Sequence, residues 1–167
     1  MSTTPDYKNT IFEADNILLS SGQYEFPLNV EKLIKGIKTI NIQINKFSDS
    51  GIDGATKIKS SGFVTEINGV YYVAYNDGIE NIGHNRFTLC HELGHIILGH
   101  DLKLINDYKQ EREADIFAAE LLMPEAIIQE LVDRGYNIIE ETKLDSIFNA
   151  SFKAIGIRIE EFKKLPE

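Results

Sequence analysis

Three features of the sequence predict an α+β fold. Two stretches with helical spacing, about Arg86 to Leu98 and Tyr108 to Met123, end at stop signals, Gly99 and Pro124. Two strand-like runs, Gly62 to Ile67 and Val70 to Tyr75, are joined by Asn68-Gly69. A third run, Thr39 to Ile44, alternates apolar and polar residues in the manner of a half-buried strand. Together they predict a small three-stranded sheet, antiparallel or mixed, packed on those two helices, with a helical segment after them.

The elements follow in order. Residues 1–24 show no clear pattern and read as a loose arm with a short helix. Asn29 is placed to cap a helix through Val30, Leu33, Ile34 and Ile37. After the strand at 39–44, residues 48–61 are rich in Ser, Gly and Asp and form a loop. Asn-Gly between strand-like runs is a strong hairpin signal, because a type I′ turn needs positive φ at both central positions. A second polar loop spans 76–85, and Asn85 reads as the cap of the next helix. The tail reads as three short helices, broken near Gly135-Tyr136-Asn137 and at Asn149-Ala150-Ser151. A single domain over 1–167 is expected, with a core at 25–124 and a helical tail at 125–167.

Composition narrows the function. A hydrophobic content of 43% in 167 residues supplies a real core. A net charge of −9 makes a poor generic binder of nucleic acid or anionic membrane. Cys90 is the sole cysteine, so neither an intramolecular disulfide nor a cysteine-based metal site is available, which suits a reducing, cytoplasmic setting. The start, Met1-Ser2-Thr3-Thr4-Pro5-Asp6, lacks the pattern of a secretory signal, and no apolar run approaches the ~20 residues of a membrane span.

The chemistry concentrates at His91-Glu92-Leu93-Gly94-His95, an H-E-x-x-H pattern on a helical stretch. Four residues make just over one turn, so His91 and His95 project from one face and can hold one Zn²⁺. Glu92 is then placed to take a proton from water at the metal. A catalytic zinc usually has a third protein ligand. One template would place a histidine six residues after the second ligand, with a glycine between to turn the chain. Here those places hold Asp101 and Leu98, with Gly99 and His100 displaced, so the template fails. His100 then reads as a polar residue at a helix end. The other template draws a glutamate from a later helix, where Glu111, Glu113 and Glu120 are the candidates. Ala114, Phe117, Ala118 and Leu121 form an apolar stripe, and Glu111 and Glu113 fall on its opposite flanks. Periodicity does not choose between them.

The segment from Arg86 to His100, together with Glu113-Ala114-Asp115 and Phe117 through Pro124, resembles the ImmA/IrrE family of zinc-dependent peptidases. The resemblance covers about residues 28–124. It implies a zincin-like core of the gluzincin kind, and it gives the role of third zinc ligand to Glu113. In such zincins an aspartate can stand four residues after the ligand glutamate, but that place is Phe117, so Asp115 or another acid would orient a ligand histidine. Cys90 stands where alanine is more usual. It points about 100° from the metal face and reads as core.

The expected activity is that of a cytoplasmic metalloprotease, a hydrolase using Zn²⁺, with Mn²⁺ as an alternative in the cell. Glu92 would be the general base, and His91, His95 and Glu113 the metal ligands. The substrate is expected as an extended strand along the 70–75 edge, with Tyr72, Tyr75, His84 and Arg86 as candidate oxyanion donors. The family resemblance implies a protein substrate, a helix-turn-helix repressor, cleaved to derepress mobile-element or stress genes. The alternative is a non-proteolytic partner of a repressor or antitoxin with a structural or vestigial metal. The stretch from Leu144 to Ile159 itself looks like a helix–turn–helix. Its cations, Lys153 and Arg158 with Lys163 and Lys164 beyond, are offset by Glu160 and Glu161, while Ile155, Ile157 and Ile159 suit packing. The tail therefore reads as a structural cap or a substrate-docking surface, and direct nucleic-acid or membrane binding is not expected.

Overall fold

A computed structural model describes residues 4–50, 61–104, 106–137 and 141–162. The chain begins with α1 (Tyr7–Ser21), where the Asp6 side chain accepts from the amide of Asn9 and Gly22 ends the helix. This fifteen-residue helix replaces the loose arm and short helix expected at 1–24. Its fully buried residues are Thr10 and Ala14, with Ile17 and Leu18 half-buried against the core and Phe12 and Leu19 exposed, so its apolar stripe is weak. Helix α2 (Val30–Gly36) starts at the expected Asn29 cap, whose side chain accepts from the amide of Lys32.

Strand β1 (Ile42–Lys46) begins three residues later than expected and ends in a 3₁₀ turn, Phe47–Ser50. Most of the expected loop at 48–61 lies outside the described residues. Strands β2 (Gly62–Ile67) and β3 (Val70–Tyr75) form the hairpin. Asn68 and Gly69 have φ of 52° and 78°, the paired positive values of the expected turn. The sheet order is β1-β3-β2, with β1 parallel and β2 antiparallel to β3. Strand β3 is therefore central and both its edges are occupied. This corrects the expectation that 70–75 offers a substrate edge; among the described residues β2 is the strand at the hairpin-side edge of the sheet.

Helix α3 (Ile82–Ile97) carries the H-E-x-x-H motif across the sheet, and α4 (Tyr108–Leu122) packs along it. The cap of α3 is Asn81, which accepts from the amide of His84, and not Asn85, whose side chain donates to the Ile79 carbonyl. Placing the cap one turn earlier puts His84 in the first turn of the helix. Asp107 caps α4 by accepting from the amide of Gln110. The two helices meet at Gly94, where an added Cβ would lie 3.2 Å from the Ala114 Cα and 3.1 Å from the Phe117 ring. A glycine facing an alanine brings the two backbones close enough to share one site.

The tail comprises α5 (Glu125–Asp133), α6 (Glu141–Phe148) and α7 (Phe152–Phe162), the three short helices expected. Phe148, Ala154, Ile155 and Ile157 join Leu93, Phe117 and Leu121 in one buried cluster. Burying each large apolar side chain contributes roughly 1.5–3 kcal/mol. Arg158 and Glu120, both with side chains 1% exposed, pair at 2.6 Å between α7 and α4. Arg112 adds a contact to Glu161 at 2.7 Å. Ile155 and Ile157 thus pack inward as expected, and Arg158 faces no groove. Lys163 and Lys164 lie outside the described residues. Cys90 is fully buried in the core. Among the described residues no helix is long and apolar enough to cross a membrane.

Candidate metal centre

The helical spacing of the motif brings the Nε2 atoms of His91 and His95 to 3.1 Å from each other. A tetrahedral ion with bonds of ~2.0–2.1 Å holds two ligand nitrogens about 3.3 Å apart, so the pair is already set for one ion. The third group beside them is Glu111 of α4, at 3.4 Å from His91 Nε2 and 3.7 Å from His95 Nε2. One donor atom from each of the three lies within 4.8 Å of the others. Two imidazole nitrogens and a carboxylate oxygen are a donor set suited to Zn²⁺.

Glu113 is placed elsewhere. Its carboxylate faces His100 Nε2 at 3.1 Å and accepts from the amide of Asp6 at 2.6 Å. Residues 111 and 113 are ~200° apart around a helix, so one helix cannot aim both at the histidine pair. The structure brings Glu111, not the expected Glu113, to that pair. Glu120 is also remote, occupied by Arg158 and by the amide of Glu125. Asp101 lines the cleft, and its carboxylate accepts from the amide of Lys103.

Asp115 lies one turn beyond Glu111 on the same face of α4. Its Oδ1 sits 2.9 Å from His91 Nδ1, the ring nitrogen turned away from the triad. This is the acid that the sequence expectation sought to orient a ligand histidine, and its spacing of four residues counts from Glu111. The same oxygen receives Lys153 Nζ from α7 at 2.8 Å, with the ammonium 4.9 Å from the centre of the Phe87 ring. Lys153 was legible only as a tail cation, because nothing in local spacing ties residue 153 to residue 115.

Electrostatics separate the groups. Burial disfavours the charged form of His91, but hydrogen bonds to Asp115 and Glu111 outweigh it and raise the group to about 9. Burial, with His91 and His100 nearby, lowers His95 to about 4. Burial raises Glu92 to about 7, with His91 opposing and Glu111 reinforcing the shift. The hydrogen bond to His91 holds Glu111 below the usual carboxylate range. These directions describe the protein without a metal, where His91 holds a proton against the Glu111 carboxylate that an ion would displace.

The triad opens into a cleft of about 550 Å³, lined by Glu92, Gly62, Val64, His84, Phe87 and Thr88 among others. Of the four candidate oxyanion donors, His84 is the one that reaches this cleft, with Nε2 2.9 Å from Ser61 Oγ. Tyr75 turns away to Glu31 at 3.4 Å, and burial followed by that acid raises its hydroxyl to about 12. Arg86 donates to the carbonyls of Leu28, Phe148 and Asn149 and so ties α3 to the tail. Tyr72 is not among the cleft-lining residues.

No protein in the curated set matches the chain. The family model Peptidase_M78, described as the IrrE N-terminal-like domain, matches residues 36–160. That span runs from the end of α2 into α7, so it includes the tail helices as well as both helices of the triad. With three quarters of its length matched, the chain belongs to the IrrE N-terminal-like family of metallopeptidase-type proteins.

Proposed function

We propose that the protein is a zinc-dependent endopeptidase that cleaves a specific cytoplasmic protein, a helix-turn-helix repressor, and so derepresses mobile-element or stress genes. The observation that carries the reading is the convergence of His91, His95 and Glu111 beside the buried carboxylate of Glu92 in one open cleft. His91, His95 and Glu111 would hold the ion. When bound, the metal supplies Lewis acidity toward a peptide carbonyl and lowers the pKa of water.

Glu92 is the general base, accepting a proton from the attacking water at its carboxylate and later giving it to the leaving amine. Burial supports this role, since it brings the carboxyl close to neutral and suits it to both halves of a proton transfer. Asp115 fixes the His91 ring through Nδ1. Strand β2 offers its outer edge to an extended substrate, and Gly62, Phe63 and Val64 line the cleft on that side. His84, held by Ser61, is the side chain that would donate to the developing oxyanion. The net charge of −9 favours encounter with a basic DNA-binding protein, and the single cysteine, Cys90, suits a reducing compartment.

The test is Glu92→Gln. The variant is expected to retain one equivalent of zinc and to lose cleavage of a repressor encoded beside it, followed by mass spectrometry of the fragments. Full cleavage by Glu92→Gln would refute the assigned base.

A further inference from the structure

Beyond the triad, a second chain of buried polar groups runs from His95 to the start of α1. His95 Nδ1 lies 2.9 Å from His100 Nδ1, and His100 Nε2 lies 3.1 Å from Glu113 Oε2. The other Glu113 oxygen accepts from the Asp6 amide at 2.6 Å, and Lys109 Nζ stands 3.7 Å from it. The His100 and Glu113 side chains are 6% and 9% exposed, so water is a poor substitute for either partner.

Proton counting determines how this chain is wired. A carboxylate only accepts, so the proton between Glu113 and His100 belongs to His100 Nε2. Neutral His100 then presents Nδ1 as an acceptor. Two ring nitrogens at 2.9 Å need one proton between them, and that proton must therefore sit on His95 Nδ1. His95 Nε2 is left with its lone pair directed at His91 Nε2 and Glu111. Asp115 likewise accepts from His91 Nδ1, so a proton sits on that nitrogen too. The two imidazoles are thus oriented by two carboxylates from opposite flanks of α4.

We propose that His100 and Glu113 are positioning residues, a relay that fixes the ring and tautomer of His95, and that the residue capping α1 anchors the relay through the Asp6 amide. The proposal rests on the reading that His91, His95 and Glu111 hold the metal. It gives Glu113 a role distinct from ligation, acting through His100. Partners of this kind typically change metal affinity by 10–100-fold.

Zinc affinity, measured by chelator competition in wild type, Glu113→Gln, His100→Ala and the double variant, tests this relay. Wild type and all three variants are expected to bind one equivalent, with both single variants 10–100-fold weaker. The double variant is expected to match His100→Ala, because Glu113 has no route to the metal once His100 is gone. Independent, additive losses would overturn the relay, as would unchanged affinity in both single variants. Loss of stoichiometric binding in Glu113→Gln, with Glu111→Gln unaffected, would make Glu113 a ligand and also overturn it. Absence of zinc in the wild type would refute the metal reading, a separate result. Long-range ¹H–¹⁵N NMR of the metal-free protein is read independently of zinc. His95 is expected as the Nδ1–H tautomer in wild type and as a mixture in His100→Ala; the Nε2–H tautomer in wild type would overturn the wiring. Matching thermal melts of the variants separate these outcomes from misfolding.

Discussion

Glu92→Gln makes a prediction about stability that is independent of any substrate. Glu92 is 8% exposed, and burial raises its carboxyl from 4.5 to about 7. Above pH 7 the metal-free protein holds a buried carboxylate that the unfolded chain would hydrate. The sign follows from linkage. Between pH 4.5 and 7 the folded state binds the extra proton, so the contribution of Glu92 to stability is full below 4.5 and is lost as pH rises through 7. The gap between 4.5 and about 7 corresponds to about 3 kcal/mol. Glutamine is nearly isosteric and does not ionise, so the variant lacks this slope. Metal-free Glu92→Gln is therefore expected to gain on wild type across that window and to exceed it above pH 7 by up to about 3 kcal/mol, on the order of 10 °C in Tm for a chain of this size. Urea unfolding of both proteins in chelator, at half-unit steps from pH 4 to 8.5, reads the difference, since titrating groups that do not face Glu92 cancel and the coupled ones are His91 and Glu111. Parallel pH profiles for the two proteins would refute the claim that Glu92 is held near neutrality by burial. A larger gap at pH 5 than at pH 8 would reverse its sign.

Two further predictions concern the frame around the site. Arg158→Met leaves Glu120 buried without its cation and is expected to destabilise the protein by about 3–5 kcal/mol in urea unfolding. The double change with Glu120→Met is expected to recover most of that loss; no recovery would show that the pair is not the source. Gly94→Val puts side-chain atoms into the Ala114 backbone and the Phe117 ring, where an added Cβ alone already lies 3.1–3.2 Å away. It is expected to destabilise by about 1–3 kcal/mol and to weaken zinc binding, because α4 must move away carrying Glu111 and Asp115. Unchanged zinc affinity by chelator competition would show that the close helix approach does not set the triad.

The parts of the fold legible in the sequence were those with local causes. The Asn68-Gly69 turn, the Asn29 cap and the stop at Gly99 each depend on a few adjacent residues, and each occurs where expected. The start of α3 is ambiguous in the sequence because two asparagines, Asn81 and Asn85, stand one turn apart and both suit a cap; the first turn packs at Gly83 against Ala150 and Ser151 and at His84 against Ser61. Helix α1 is expected only as a short helix beside a loose arm, because its fully buried residues are threonine and alanine, and the meaning of that face emerges only against α4. At the site, His91, Glu92 and His95 were legible because one helical turn defines them. The neighbours of that pair depend on how α4 is rotated against α3, and periodicity left Glu111 and Glu113 equivalent. Lys153 and His100 had no local signal for their roles; residue 153 meets Asp115 across 38 positions of sequence.

Cys90 has a practical consequence. The thiol is fully buried and burial raises it to about 12, although Arg86 pulls the other way. Thiolate, not thiol, attacks alkylating reagents, so the folded protein is expected to ignore them and the unfolded chain to react at once. The rate at which a maleimide labels the wild-type protein thus reports its opening, as a rate where labelling outpaces reclosing and as an open population where it does not. A second cysteine placed on the outer edge of β2 would report what settles on that strand, with no background from the first.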